Sequence, residues 1–233
     1  LGICHAVAAA EKGFMVKCFD ESPYKIEQLS KGFIDFFEPN LDKIFKRNKK
    51  KIKFINDLID LKECDLVFFS KDVPTNNKDK SLYDGIYKLI KKAIRHLNKK
   101  SNLIILSQVK PGFTDSIKWR RKKLYYQVET LIFGEAINRV LKPEQFIIGS
   151  SDNKINKSYL KFLKSYKSKI NIMNYKSAEL AKISINLYLI SSLSFTNSLA
   201  EACEKIDADW SKIQPILKQD KRIGKYAYLN PGL

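Results

Sequence analysis

The run SAELAKISINLYLISSLSFTNSLAEACEKIDAD, Ser177 to Asp209, constrains this chain more than any other stretch. It holds no Gly and no Pro. Apolar residues recur every three or four positions, at Ala178, Ala181, Ile185, Leu189, Leu193, Leu199, Cys203 and Ile206. It is too long for a strand, and that spacing predicts a helix buried on most of its circumference, starting near Ser177. Lys182 and Asn186 stand four residues apart, so their side chains share a face. An ammonium and a carboxamide on an otherwise apolar helix are costly without partners, which makes this pair the first candidate for chemistry. The plainer alternative is a structural lysine that reaches solvent or pairs with Glu179 or Glu201.

The residues before this helix alternate between strand and helix patterns. LGICHAVAAAEKGF reads as a helix ending at Gly13, and MVKCFD as a short buried strand closing on Asp20. A glycine at the start of a helix and an acid at the tip of the next strand fit the dinucleotide-binding pattern. Gly2 suits the last glycine of that pattern; the first strand and first two glycines are expected upstream of residue 1. The Asp20 carboxylate could accept both ribose hydroxyls and would repel a 2′-phosphate, favouring NAD over NADP. Its alternative role is a cap for the helix Pro23–Lys31. Further on come strands at KFIND and ECDLVFFS, a helix over Ser81–Lys99, the strand SNLIIL and a Tyr-rich strand closing on Glu129. Glu129 reads either as a functional acid or as an N-cap. Asn153–Lys167 reads as an amphipathic helix, KINIMN as a last strand and Trp210–Lys218 as a short helix. The alternation predicts an α/β fold: a Rossmann-like, mostly parallel sheet over residues 1–174, then an all-helical linking and dimerisation domain over residues 175–233.

The net charge is +18, but the lysines are spread over many segments. The densest run, KRNKKKIK, lacks the aromatic residues a single-strand binder interleaves, so solvated lysines are expected rather than a nucleic-acid surface. Cys4, Cys18, Cys64 and Cys203 form no C-x-x-C, and only His5 and His96 could join them, so no metal is expected. Free thiols point to a cytoplasmic protein. The window Leu180–Ala200 is membrane-like in length, but Lys182, Asn186, Asn197 and five serines argue for a protein interior.

The long run, with Asp220-Lys221-Arg222-Ile223-Gly224 and Asn230-Pro231-Gly232 after it, resembles the linking helix and D-x-RIG segment of the UDP-glucose/GDP-mannose dehydrogenases. Other matches follow in order along the chain. Glu38-Pro39-Asn40-Leu41 resembles EPGL, and Val73-Pro74-Thr75 resembles the turn over the adenosine side of the cofactor. SQVKPGFT resembles STVPPGT, and VETLIFG with a later Pro143 and Gly149 resembles NPEFLREG and its sequel. The resemblance implies NAD as cofactor and oxidation of a nucleotide sugar at C6 to the uronic acid through a cysteine thioester. That cysteine is expected shortly after Leu233.

The resemblance also assigns roles. Gly2, Asp20, Val73, Pro74, Thr75, Ser107 and Gln108 would line the cofactor. Glu129, Lys182 and Asn186 would be catalytic, with Glu129 serving hydrolysis and the other two the developing oxyanion. Leu131, Arg222, Tyr228 and Asn230 would join those three around the substrate, and the long helix would form a homodimer. Two departures touch the chemistry: Gln108 replaces a threonine, and Ile132-Phe133 replaces Arg-Glu. They motivate an alternative, a relative that binds NAD and a nucleotide sugar without completing the four-electron oxidation. A remoter one is a basic nucleic-acid-binding protein.

Overall fold

The fold is given by a computed structural model that describes residues 1–232. Eight α-helices and seven strands are described: α1 Gly2–Glu11, β1 Val16–Phe19, α2 Pro23–Lys31, α3 Leu41–Asn48, β2 Ile52–Ile55, β3 Leu66–Phe69, α4 Asp84–Ile94, β4 Asn102–Ile105, β5 Leu124–Gln127, α5 Ala136–Leu141, β6 Gln145–Gly149, α6 Lys157–Lys164, β7 Lys169–Met173, α7 Tyr175–Lys205 and α8 Trp210–Gln219. The chain divides into two compact units, Leu1–Leu180 and Ala181–Leu233.

The first unit is a mostly parallel Rossmann-like α/β assembly. β1 pairs with β2, and β3-β4-β5-β6-β7 form a second ladder, parallel throughout except at β5–β6. β4 lies between β3 and β5 and is buried along its whole length, which suits its unbroken Leu103-Ile104-Ile105 run. Successive side chains alternate faces. Leu103 and Ile105 pack with Ile90, Ala93 and Tyr126, whereas Ile104 and Leu106 pack with Tyr125, Tyr159 and Phe162. Burying each such side chain contributes roughly 1.5–3 kcal/mol.

Local signals set many boundaries. Gly13, at φ +95°, closes α1 where a Cβ would be strained. Ser22 caps α2 by accepting the Lys25 amide at 3.3 Å, with Pro23 in the first turn. Asn156 caps α6 and Asp209 caps α8.

Several boundaries differ from the sequence reading. The helix expected over Ser81–Lys99 forms only over Asp84–Ile94. Ser81 is instead bridged to Thr75, and the Leu82 amide donates to the Pro74 carbonyl, so the residues before α4 belong to a turn. The helix expected over Asn153–Lys167 is shortened to Lys157–Lys164. α7 starts at Tyr175 rather than Ser177, because Asn174 accepts the Ser177 amide at 2.9 Å and acts as the cap. Nor is α7 buried on most of its circumference: Leu187, Tyr188, Ile190 and Phe195 are exposed in the single chain. Its apolar residues run all the way round, and one chain covers only part of them.

In the second unit, Thr196 donates to the Tyr228 carbonyl at 2.7 Å, and Trp210 and Gln214 donate to that of Leu229. These bonds fasten the C-terminal segment to α7 and α8. No helix among the described residues is long and apolar enough to cross a membrane.

Candidate active site

Three carboxylates order the motif-bearing turns of the first unit. Glu38 is buried and accepts the backbone amides of Gly134 and Ile137 at 3.0 and 3.2 Å. It therefore holds the turn that carries Leu131, Ile132 and Phe133. Ile132 is exposed, and Phe133 is 99% exposed. Glu179, fully buried in the first turns of α7, accepts the amides of Gly112 at 2.5 Å and Thr114 at 2.8 Å. It fixes the turn after β4, a few residues beyond Ser107 and Gln108. Burial raises the Glu179 pKa above its ordinary value, opposed by Thr114 and the two amides. The sequence reading offered Glu179 only as a partner for Lys182; its actual contacts lie far off along the chain.

Glu129 is the third. It follows β5 and caps no helix, since α5 starts at Ala136 after Glu135. Its Oε1 accepts Gln127 Nε2 at 2.6 Å, and its Oε2 lies 3.1 Å from His5 Nε2. Gln127 is buried, and its Oε1 accepts the Tyr159 hydroxyl at 2.7 Å. Burial, then the charge of Glu129, holds the Tyr159 phenol well above its ordinary pKa, so it remains a donor. The carboxamide is thereby oriented with its NH2 toward Glu129. Sequence reading missed His5, Gln127 and Tyr159; only the single histidine near the start of α1 was a visible signal.

The expected cofactor residues lie at the ends of β1, β3 and β4 and at the start of α1. At Gly2 a Cβ would stand 2.8 Å from Ser70 Oγ, so the backbone there approaches the end of β3 as no larger residue could without a shift. Asp20 follows β1, and its Oδ1 accepts the Ser22 amide at 2.9 Å. Asp20 thus orders the turn before α2, while Ser22 is the cap. A carboxylate has about four acceptor sites, so capacity for ribose hydroxyls is left. Val73, Pro74 and Thr75 form the turn after β3, and Ser107 donates to the Lys71 carbonyl at 2.6 Å, joining that turn to the end of β4. Gln108 beside it is exposed.

The second unit carries the remaining candidates. Lys182 Nζ donates to Asn186 Oδ1 at 3.4 Å, so the two share a face and a long contact. Both are half-buried. Arg222 is tied to Asp220 through two nitrogens at 3.0 and 2.7 Å, and Asn230 accepts from Gln214 at 2.5 Å. The Tyr228 ring is exposed.

Two family models match the chain. The NAD binding domain of the UDP-glucose/GDP-mannose dehydrogenase family matches residues 1–168, and that family's central domain matches residues 176–233. The chain belongs to the UDP-glucose/GDP-mannose dehydrogenase family. NAD is accordingly its cofactor. A UDP-glucose 6-dehydrogenase of Rickettsia bellii is 29% identical over the whole chain, which spans 56% of that relative's length. A UDP-glucose 6-dehydrogenase of Bacillus subtilis is 25% identical, again over 56% of its length. Two solved structures share the fold. The UDP-glucose dehydrogenase of Pyrobaculum islandicum superposes with a TM-score of 0.90 at 23% identity, over 99% of this chain and 57% of that one. A GDP-mannose dehydrogenase ternary complex from Pseudomonas aeruginosa gives 0.88 at 18% identity, over 100% and 58%.

Proposed function

We propose that the full-length protein oxidises a nucleotide sugar of the UDP-glucose type at C6 to the uronic acid, using NAD. The observation that carries this reading is the held carboxylate of Glu129 in a chain that matches both the NAD binding and central domains of the family. The close approach at Gly2 and the acid at the tip of β1 fit NAD.

NAD, when bound, supplies a hydride acceptor. The protein's own groups do the rest. Asp20 receives the ribose hydroxyls. The Lys182 ammonium, beside Asn186, stabilises negative charge that develops on the sugar oxygen. Glu129 takes a proton from the attacking water. A thioester also needs a thiolate, and burial raises the pKa of Cys4, Cys18 and Cys64, the second to about 12. We assign the nucleophile to none of these three. The exposed apolar residues of α7 suit a second copy, hence a homodimer. Four free cysteines suit a reducing, cytoplasmic setting.

Exposed Ile132 and Phe133, where the family pattern is polar, favour a second reading: the same fold and cofactor with an altered or incomplete oxidation. Counting NADH decides between them. The full-length protein is expected to release two NADH per UDP-glucose or related nucleotide sugar, and residues 1–233 alone none. One NADH per sugar, or binding of NAD and nucleotide sugar with no NADH released, selects the second reading, and no binding of any nucleotide sugar sinks both.

Asp20 sets cofactor choice in this proposal. Asp20→Ala should weaken NAD selectively, lowering the NAD/NADP affinity ratio by roughly tenfold, about the worth of a lost charge-assisted hydrogen bond. Titration calorimetry with both nucleotides measures it, and an unchanged ratio removes Asp20 from the site.

A further inference from the structure

We propose that His5 is a positioning residue that, with Gln127, holds the Glu129 carboxylate from its other side; this rests on the proposed role of Glu129 as a base. His5 stands one turn into α1, and its Nε2 lies 3.1 Å from Glu129 Oε2, each side chain 14% exposed. Nε2 itself is sealed from solvent and makes no hydrogen bond of good geometry among the described residues. The two observations agree once direction is considered: the atoms are close, but the ring N–H is not aimed along the line between them. The last torsion of a glutamate is soft, so a small rotation completes the bond. A buried imidazole nitrogen left unpaired is costly, which favours that rotation.

The opposite side of the carboxylate is already determined. Tyr159 donates to Gln127 Oε1 at 2.7 Å, so Gln127 presents Nε2 to Glu129 Oε1 at 2.6 Å. With one oxygen held by a carboxamide and the other beside an imidazole, the line Tyr159–Gln127–Glu129–His5 runs from the sheet core to the first turn of α1. A carboxylate oxygen only accepts, so the imidazole proton is assigned to Nε2, facing Glu129 Oε2. Three of these residues come from β5, its following segment and α6, and the fourth from the helix that starts at Gly2, so the line also ties Glu129 to the cofactor-binding turn.

The test uses the full-length protein. His5→Gln keeps an N–H donor at about the Nε2 position, whereas His5→Leu keeps the volume and loses the donor. His5→Leu is expected to lower kcat roughly 10- to 100-fold, the scale of a misplaced catalytic group, with KM for NAD within about twofold. His5→Gln is expected to recover most of that loss. A packing role would make the leucine variant at least as good as the glutamine one, and that outcome overturns the proposal. Independently of turnover, 15N shifts of the imidazole should show Nε2 protonated in the wild type and lose that preference in Glu129→Gln. If Glu129→Gln turns over normally, the base assignment fails, and the shifts alone then decide the pairing: a tautomer indifferent to Glu129→Gln overturns it.

Discussion

Lys182→Ala in the full-length protein lowers kcat by roughly 100- to 1000-fold and leaves NAD affinity within about twofold, the loss expected for a donor aimed at developing negative charge. The expectation rests on where the lysine stands. It is half-buried on a helix whose other residues on that stretch are largely apolar, and its Nζ reaches the Asn186 carboxamide at 3.4 Å. A lysine kept only for solubility would extend into water, and Glu179, its nearest acidic alternative in sequence, is committed to Gly112 and Thr114. Lys182→Met keeps most of the stem and removes the charge, so it should fall with the alanine variant. Steady-state kinetics with UDP-glucose, together with NAD titration, measure both effects. A fall of less than about threefold in kcat would remove Lys182 from the oxyanion role, and the shared fold would then carry no assignment for it.

Glu179→Ala is expected to destabilise the protein by about 3 kcal/mol, since it leaves the buried Thr114 amide and the partly buried Gly112 amide unpaired at about 1–3 kcal/mol each. Set against the ~5–15 kcal/mol that holds a domain together, that is a large share. Glu179→Gln should recover little, because one of its two terminal atoms is itself a donor and would face an amide N–H. The urea midpoint measures the loss, with an unchanged slope showing that only stability moved. The pH dependence has a definite sign. Burial raises the native-state pKa above 4.5, so between that value and the raised one the native state holds more protons than the unfolded chain. Stability from this group then falls as pH rises, and the wild-type margin over Glu179→Ala narrows across the window. A margin near zero, or one that widens, contradicts the assignment.

These two residues also mark how far a sequence can be read. Features that depend on neighbours a few positions apart were legible. The bounds of α2, Pro23–Lys31, were legible because capping and turn chemistry act within one helical turn, although the cap is Ser22 and not Asp20. α7 was legible because a long periodic run without Gly or Pro has few alternatives, and the facing of Lys182 and Asn186 follows from helical pitch alone. The order of the motifs, from Gly2 to Asn230, was enough to place the chain in its family and hence its mostly parallel α/β fold.

Tertiary structure decided what each acid touches. Glu38 meets an amide 96 positions away and Glu179 one 67 positions away, and His5 meets Glu129 across most of the first unit. No propensity or period encodes such contacts, since they arise only when the sheet brings the turns after β4 and β5 to one edge. It also decided which apolar residues of α7 are covered, because periodicity reports that a face is apolar and not whether a single chain has enough surface to bury it.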